Sequence, residues 1–311
     1  MSVGLNGQLG WSKEVTKGSR VVPADFAELN PGESVQLAQE HLFRQGIRAN
    51  AVTPHDVALG SKSAAGSFSL DLSAEVVGSL LELCVGDVDS TSGSGPYTHV
   101  YTPKAARKSA TLQFGRPGTA GTVHPFDYTG CMVDSWTVAC NSGEFATIEV
   151  GWQGRAEDTG QSLASASYAQ ATFFDFTQAD VEIGSSEVPV RSISISGANE
   201  VRTDNPIAST YAGGARVLEN GQSVITGELV MDFEDLTEHA RYAAGTEATL
   251  DLVFTSGTSS LTFSGNVVFT GTTPVIGSLG ILEQPLPFQF VPATPSGDAI
   301  TITLVNDDSS P

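Results

Sequence analysis

Apolar residues fall on every second position through most of this 311-residue chain. That period is what a strand with one buried face produces. Ile193 and Ile195 alternate with Ser192, Ser194 and Ser196, and Leu250, Leu252 and Phe254 with Thr249, Asp251 and Val253. Ala146, Ile148, Val150 and Trp152 share one side of 145–152, and the same period puts Met132, Trp136 and Val138 on one side of 131–140. Leu286, Phe288 and Phe290 alternate across Pro287, whose missing N–H suits an edge strand; Ile300, Ile302 and Leu304 close the chain. One apolar face per strand leaves two solutions, sheets packed face to face or a sheet closed on itself. The expected fold class is therefore mainly β.

Two segments break the period and read as helices, near 73–85 and 234–244. In the first, Val76, Val77, Leu80, Leu81 and Cys84 recur at helical spacing, with Ser73 as an N-cap, Glu75 in the first turn and Gly86 as the stop. In the second, Glu234 and Asp235 open the helix, Gly245 ends it, and Leu236, Ala240, Ala243 and Ala244 form a narrow apolar face. Each helix follows a similar strand. Gly66 matches Gly227 at an offset of 161; Phe68, Leu70 and Leu72 match Leu229, Met231 and Phe233; Asp71 matches Asp232. The same offset carries 34–43 onto the strand at 193–197 and the strands of 131–152 onto 285–305. The expectation is a duplicated unit, 1–155 and 188–311, joined by an acidic connector over 156–187.

Charge narrows the function classes. The net charge is -20, and residues 242–311 hold six acids and no Lys or Arg. Gripping a phosphate backbone needs clustered cations, so specific nucleic-acid binding is not expected, although a surface past which a polyanion slides is compatible. Cys84, Cys131 and Cys140 have no disulfide or metal spacing, and Cys84 lies on an apolar helical stripe. The N-terminus lacks a basic segment followed by a long apolar one, and no run approaches a membrane span, so the chain reads as a soluble protein made in the cytoplasm.

Catalytic patterns are missing. There is no G-x-S-x-G, Walker A, G-x-G-x-x-G or H-E-x-x-H. The histidines, His41, His55, His99, His124 and His239, are scattered and read as surface or loop residues. Asp87, Asp89, Thr91 and Gly93 imitate the start of a calcium loop, but Thr98 stands where the glutamate belongs, which favours an ordinary acidic turn and leaves a metal near Asp87 and Asp89 undecided. Asp134 and Glu144 are a pair of the kind glycosidases use, expected by chance among 35 acids. Trp11, Trp136 and Trp152 are expected to fill cores. No residue is assigned a catalytic, cofactor-binding or metal-binding role, and no cofactor is expected.

Several phrases, in order, carry a resemblance: G10-W-S-K-E-V-T-K-G-S-R-V-V-P23, E40-H-L-F-R-Q-G-I-R48, G66-S-F-S-L-D-L72, L80-L-E-L-C-V-G86, Y97-T-H-V-Y-T-P103, Y128-T-G-C-M-V-D-S-W-T-V138, V201-R-T-D204, G221-Q-S-V-I-T-G-E-L-V-M-D-F233, P274-V-I-G-S-L-G280 and E283-Q-P-L-P-F288. Together they resemble the tail tube proteins of long-tailed, siphovirus-like viruses of prokaryotes. The resemblance implies a structural, non-enzymatic virion protein, a β-sandwich or half-barrel with a flanking helix. Protomers of such proteins join their sheets into closed rings, and the rings stack into a hollow tube through loops and terminal arms. The tape measure protein occupies the lumen first, genome DNA later passes without specific binding, and terminator and tip proteins cap the ends. Single-domain members use six copies per ring. A duplicated chain implies three, a pseudo-hexamer, with six as the alternative. Two other readings remain open at this point: a different virion β-module, such as a completion or sugar-binding decoration protein, and an acidic all-β glycoside hydrolase.

Overall fold

The computed structural model describes residues 4–47, 54, 56–91, 94–203, 218–271, 273–276 and 280–310. Its strands are β1 (Gln8–Lys13), β2 (Asp25–Ala27), β3 (Gln36–Arg44), β4 (Asp56–Asp71), β5 (Gly86–Ser90), β6 (Tyr97–Pro103), β7 (Ala110–Pro117), β8 (Val123–Asn141), β9 (Thr147–Gly154), β10 (Ala156–Asp158), β11 (Ala179–Ile183), β12 (Val190–Ala198), β13 (Val201–Arg202), β14 (Glu219–Asn220), β15 (Val224–Asp232), β16 (Ala248–Ser256), β17 (Ser259–Phe269), β18 (Glu283–Val291) and β19 (Thr301–Asn306). Two α-helices interrupt them, α1 (Val77–Val85) and α2 (Thr237–Ala244). The chain is mainly β, as its periodicity predicts. Among the described residues no helix is long and apolar enough to cross a membrane.

Eight antiparallel strands make one long sheet in the order β3–β4–β9–β8–β12–β15–β18–β17. Two shorter wings hang from it through its longest members. The first half of β8 leaves the long sheet to join β2–β1–β7–β8–β10. The first half of β17 joins β11–β16–β17–β19–β6–β5. Each wing folds back over the apolar face of the long sheet. Phe68 on β4 packs edge-on against Phe114 on β7 with centroids 6.0 Å apart, and one continuous core runs through both halves. Burying a large apolar side chain in such a core contributes about 1.5–3 kcal/mol.

The two halves are wired alike. In the first, β4 lies between β3 and β9, β9 pairs with the second half of β8, and the first half of β8 lies between β7 and β10. In the second, β15 lies between β12 and β18, β18 pairs with the second half of β17, and the first half of β17 lies between β16 and β19. β1 on β7 corresponds to β11 on β16, and α1 after β4 to α2 after β15. The register agrees to the residue: Gly66 faces Trp152 and Gly227 faces Phe288. A side chain at either glycine collides with backbone, since a Cβ at Gly66 would lie 2.4 Å from the Ser34 carbonyl oxygen and one at Gly227 2.4 Å from that of Ser194. The shared glycine thus answers to a shared close approach of the neighbouring strand. The match differs from the expected offset in one respect. The β8–β9 pair corresponds to β17–β18 and not to the last two strands, because β18 and β19 both pair with β17 along one edge.

Other expectations are corrected by local backbone events. A bulge between Val133 and Ser135 makes Asp134 an extra residue, so Val133 and Trp136 face the main core while Met132 turns to a separate cluster with Val201 and Leu218. β18 is an interior strand despite Pro287, lying between β15 and β17. The β17 ladder ends at the pair Phe269–Phe288, so Pro285 and Pro287 fall where no acceptor needs their missing N–H. Both helices end at the expected glycines, Gly86 and Gly245, in left-handed conformation. They start later than the sequence suggests, after Val76 and Leu236, neither of which caps through a side chain. Glu75 instead accepts a hydrogen bond from the Thr172 amide at 2.6 Å.

Candidate functional site

Three surfaces invite a functional reading: the solvent face of the long sheet, its two end strands, and α2. The solvent face follows directly from the period-2 pattern. Where Ile148, Val150 and Trp152 point inward on β9, Thr147, Glu149 and Gln153 point out; where Ile193 and Ile195 point inward on β12, Ser192, Ser194 and Ser196 point out. The same face receives Ser67, Ser69 and Asp71 from β4, Ser135 and Thr137 from β8, Thr226, Glu228 and Asp232 from β15, and Glu283 and Gln289 from β18. Short hydroxyls dominate, and Thr137 and Ser196 bond across strands at 2.9 Å. The acids on it are Asp71, Glu149, Glu228, Asp232 and Glu283. The cation beside them is Arg191, at a bulge, with Nε 2.7 Å from Asp232 and 3.4 Å from Glu283. Val230, Pro285 and Pro287 share the face as well, so among the described residues it is mostly polar, and it carries more acids than bases, which does not favour gripping a phosphate.

The end strands have open edges. Among the described residues β3 pairs only with β4, and the edge of β17 opposite β18 has no partner beyond Val267, where β16 stops. Inside the chain the corresponding edges are joined: β12 lies on β8 directly beyond β7.

The helices differ in the same way. All nine residues of α1 are buried. Glu82, in its middle, is held by the ammonium groups of Lys13 and Lys108, and Trp11 Nε1 donates to Ser79 Oγ at 2.9 Å. The second half of the chain also reaches α1 and the turn before it, since Asn199 Nδ2 donates to the Cys84 carbonyl in the helix and Asn306 Nδ2 to the Ala74 carbonyl ahead of it. α2 is mostly open. Its expected apolar face, Leu236, Ala240, Ala243 and Ala244, is exposed, Leu236 at 65%. The buried residue is Glu238, paired with Arg241 at 3.2 Å, and burial holds its carboxyl above the usual range.

The residues that invited chemistry lie apart. Asp134 accepts the Val201 amide at 2.9 Å, whereas Glu144 sits in the β8–β9 turn and accepts from Asn141. The seven residue steps along the strand from Asp134 to Asn141 separate them by about 20 Å, too far for paired glycosidase carboxylates. Asp87 and Asp89 are strand residues of β5, opposite Thr102 and Val100, and not the turn that their spacing suggests; Gly93 lies outside the described residues. His99 corrects the surface reading, for it is fully buried and ties Ser90 Oγ at 2.7 Å to the chain's last residues through the Asp308 carbonyl at 2.9 Å. His55 lies outside the described residues. The three tryptophans fill the core, and Cys84, Cys131 and Cys140 are free and buried, with burial raising each thiol.

Comparison with known families decides among the readings. The model of the family described as phage tail tube protein matches residues 4–290, nearly the whole chain. The chain belongs to the phage tail tube protein family. It is therefore a structural, non-enzymatic component of the virion tail, of a kind that assembles with itself into tubes, and the hydrolase reading falls. A search of curated proteins finds no match. The features that matter in a tail tube subunit are its edges and faces. Sequence reading found the polar face through alternation. It missed the open edges, because an edge is defined by what does not pair with it.

Proposed function

We propose that three copies of this tail tube protein close into a pseudo-hexameric ring, and that stacked rings form the channel for genome DNA. Each chain would contribute two fused tube units. The pairing pattern supports boundaries of about 8–158 and 179–306, slightly different from those read off the sequence, because β10 pairs with the first unit and β11 with the second. The observation that carries the proposal is the joint already present inside the chain. There the second unit's β12 continues the sheet on the free edge of β8. Among the described residues the matching edge of β17 is bare past Val267 and the outer edge of β3 is bare, so the same joint repeated between copies would pair the end of β17 of one chain with β3 of the next. Such a head-to-tail contact closes when its rotation divides a full turn, and closure removes every exposed edge.

Size agrees with this count. Eight strands from each of three chains close a barrel with a backbone diameter of about 45–50 Å at ordinary strand spacing and tilt, room for a DNA duplex, whereas two chains give about 16 strands and a porin-sized channel. The solvent face of the long sheet would line the channel. Glu149 and Glu228 would then repel the phosphates and let DNA slide. The tape measure protein occupies the same space before DNA, terminator and tip proteins close the ends, and assembly takes place in the host cytoplasm of a siphovirus-like infection.

Native mass spectrometry of purified rings tests the stoichiometry: three chains are expected, and six full-length chains per ring would refute it. The lining is tested by Glu149→Lys with Glu228→Lys, which should leave rings intact and slow DNA ejection several-fold at low salt, an effect that fades as salt rises. Unchanged ejection at low salt would remove these residues from the channel wall.

A further inference from the structure

The joint inside the chain is keyed by size. On β8, Trp136 lies directly opposite Gly197 of β12, and a Cβ at Gly197 would sit 2.3 Å from Trp136 Nε1. The indole therefore packs on bare backbone, and no side chain can stand at position 197 while it does. Trp136 is buried in the continuous core, so this contact is part of what holds the two units together.

The repeated wiring shows what stands at the same two places on the outer edges. Ser34 approaches Gly66 as Ser194 approaches Gly227, each carbonyl oxygen 2.4 Å from where the glycine's Cβ would be. Three residues on, Leu37 lies opposite Ala64 and Gly197 opposite Ile225, each two residues before the shared glycine. Leu37 of β3 thus takes the place of Gly197. Across the joint, Trp136 lies opposite Val150, which faces Phe68, and the residue equivalent to Val150 is Leu286, which faces Leu229. Past Phe269 the chain keeps to β18: the Thr270 amide donates to the Pro287 carbonyl at 2.8 Å, and a Cβ at Gly271 would lie 3.8 Å from the Leu286 Cα. Gly271 thus takes the place of Trp136. The key is inverted. Inside the chain the large residue is on β8 and the glycine on β12; at the outer edges the glycine follows β17 and the large residue is on β3, where Leu37 is 36% exposed.

Resting on the ring reading above, we propose that Leu37 of one copy packs over Gly271 of the next, and that this inverted pair, set against Trp136–Gly197, keeps the two kinds of joint from exchanging. Both wrong pairings are costly. β3 of another copy laid on β8 would set Leu37 against Trp136, two large groups where the close approach of the strands leaves room for one. β12 laid past the end of β17 would set Gly197 against Gly271 and leave a void. The interior joint is thereby reserved for units of one chain and the outer joint for units of different chains, which guards a repeated protein against exchange of units between copies.

The test is a swap in the full-length chain, with native mass spectrometry reading the rings and sedimentation velocity the concentration at which they form. Leu37→Gly empties the key and should raise that concentration more than about tenfold, the cost of losing an interface anchor. Gly271→Leu sets leucine against leucine and should abolish rings. Leu37→Gly/Gly271→Leu moves the large residue across the joint, as in the interior one, and should restore rings to within about threefold of the parent, a rescue that two independent defects do not give. Leu37→Trp, at an exposed strand position, should abolish rings while leaving the circular dichroism and melting of the monomer unchanged; it supplies the overpacked arm if Gly271→Leu does not fold. Parental ring formation by either Leu37 variant, or a folded double variant no better than Gly271→Leu, would overturn the proposal. Failure of the unmodified chain to form rings would instead remove the ring reading itself.

Discussion

α1 and α2 occupy the same place in the same wiring, yet one is entirely buried and the other largely exposed. Local sequence explains part of this, since α1 carries Val77, Leu80, Leu81 and Leu83 where α2 carries alanines and charged residues. Position explains the rest. α1 is packed against both halves of the chain, with Asn199 on its Cys84 carbonyl and Asn306 on the Ala74 carbonyl just before it, whereas α2 keeps an exposed face among the described residues. On the ring proposal the first unit of the next copy would cover it. On that proposal the buried helix with its leucine face would mark a permanent joint, and the exposed one with its alanine face a joint that forms after folding.

That contrast can be broken at either helix. The largest effect is expected from Leu81→Asp, which places an unpaired charge in the core and should abolish the cooperative melting transition followed by circular dichroism. Retention of a native-like melt would mean that α1 is not part of the core. Ala243→Glu on α2 should leave monomer stability within about 0.5 kcal/mol yet prevent ring closure by placing charge in the joint. Rings that persist would move α2 away from that joint. The smallest effect concerns Glu238. Burial, opposed by Arg241 and reinforced by Asp235, raises its carboxyl pKa in the folded chain. The folded state then holds its proton to higher pH than the unfolded state does. The stability so contributed is complete below the ordinary glutamate range and is lost as pH rises through the folded value. Glu238→Gln should flatten that decline in urea midpoints measured across mildly acidic to neutral pH. Asp25 and Asp308 are raised in the same direction, so only the difference between parent and variant isolates this residue. An unchanged slope would mean that Glu238 is solvated.

Much of this was readable from residue order. The alternation of Ile193 and Ile195 with serines placed β12 and assigned its two faces, and Gly66 and Gly227 located equivalent strands 161 residues apart. The errors share a cause. Met132, Pro287 and His99 each follow a local pattern in the sequence, but a bulge at Asp134, the end of the β17 ladder and residues 306–308 decide their surroundings. The open edges were not legible, because β3 and the end of β17 acquire meaning only from which neighbours they lack.

By itself, then, the sequence determined a mainly β chain with one polar and one apolar face per strand, two short helices, a repeated strand-to-helix unit and an acidic surface, because period, capping glycines and charge are local properties of the chain. Only the tertiary structure decided that β12 continues the sheet on β8, that among the described residues β3 and the end of β17 are left without an outer partner, and which acids share the outward face. Strand pairing joins residues far apart in sequence, and no local pattern records which edge a strand will find.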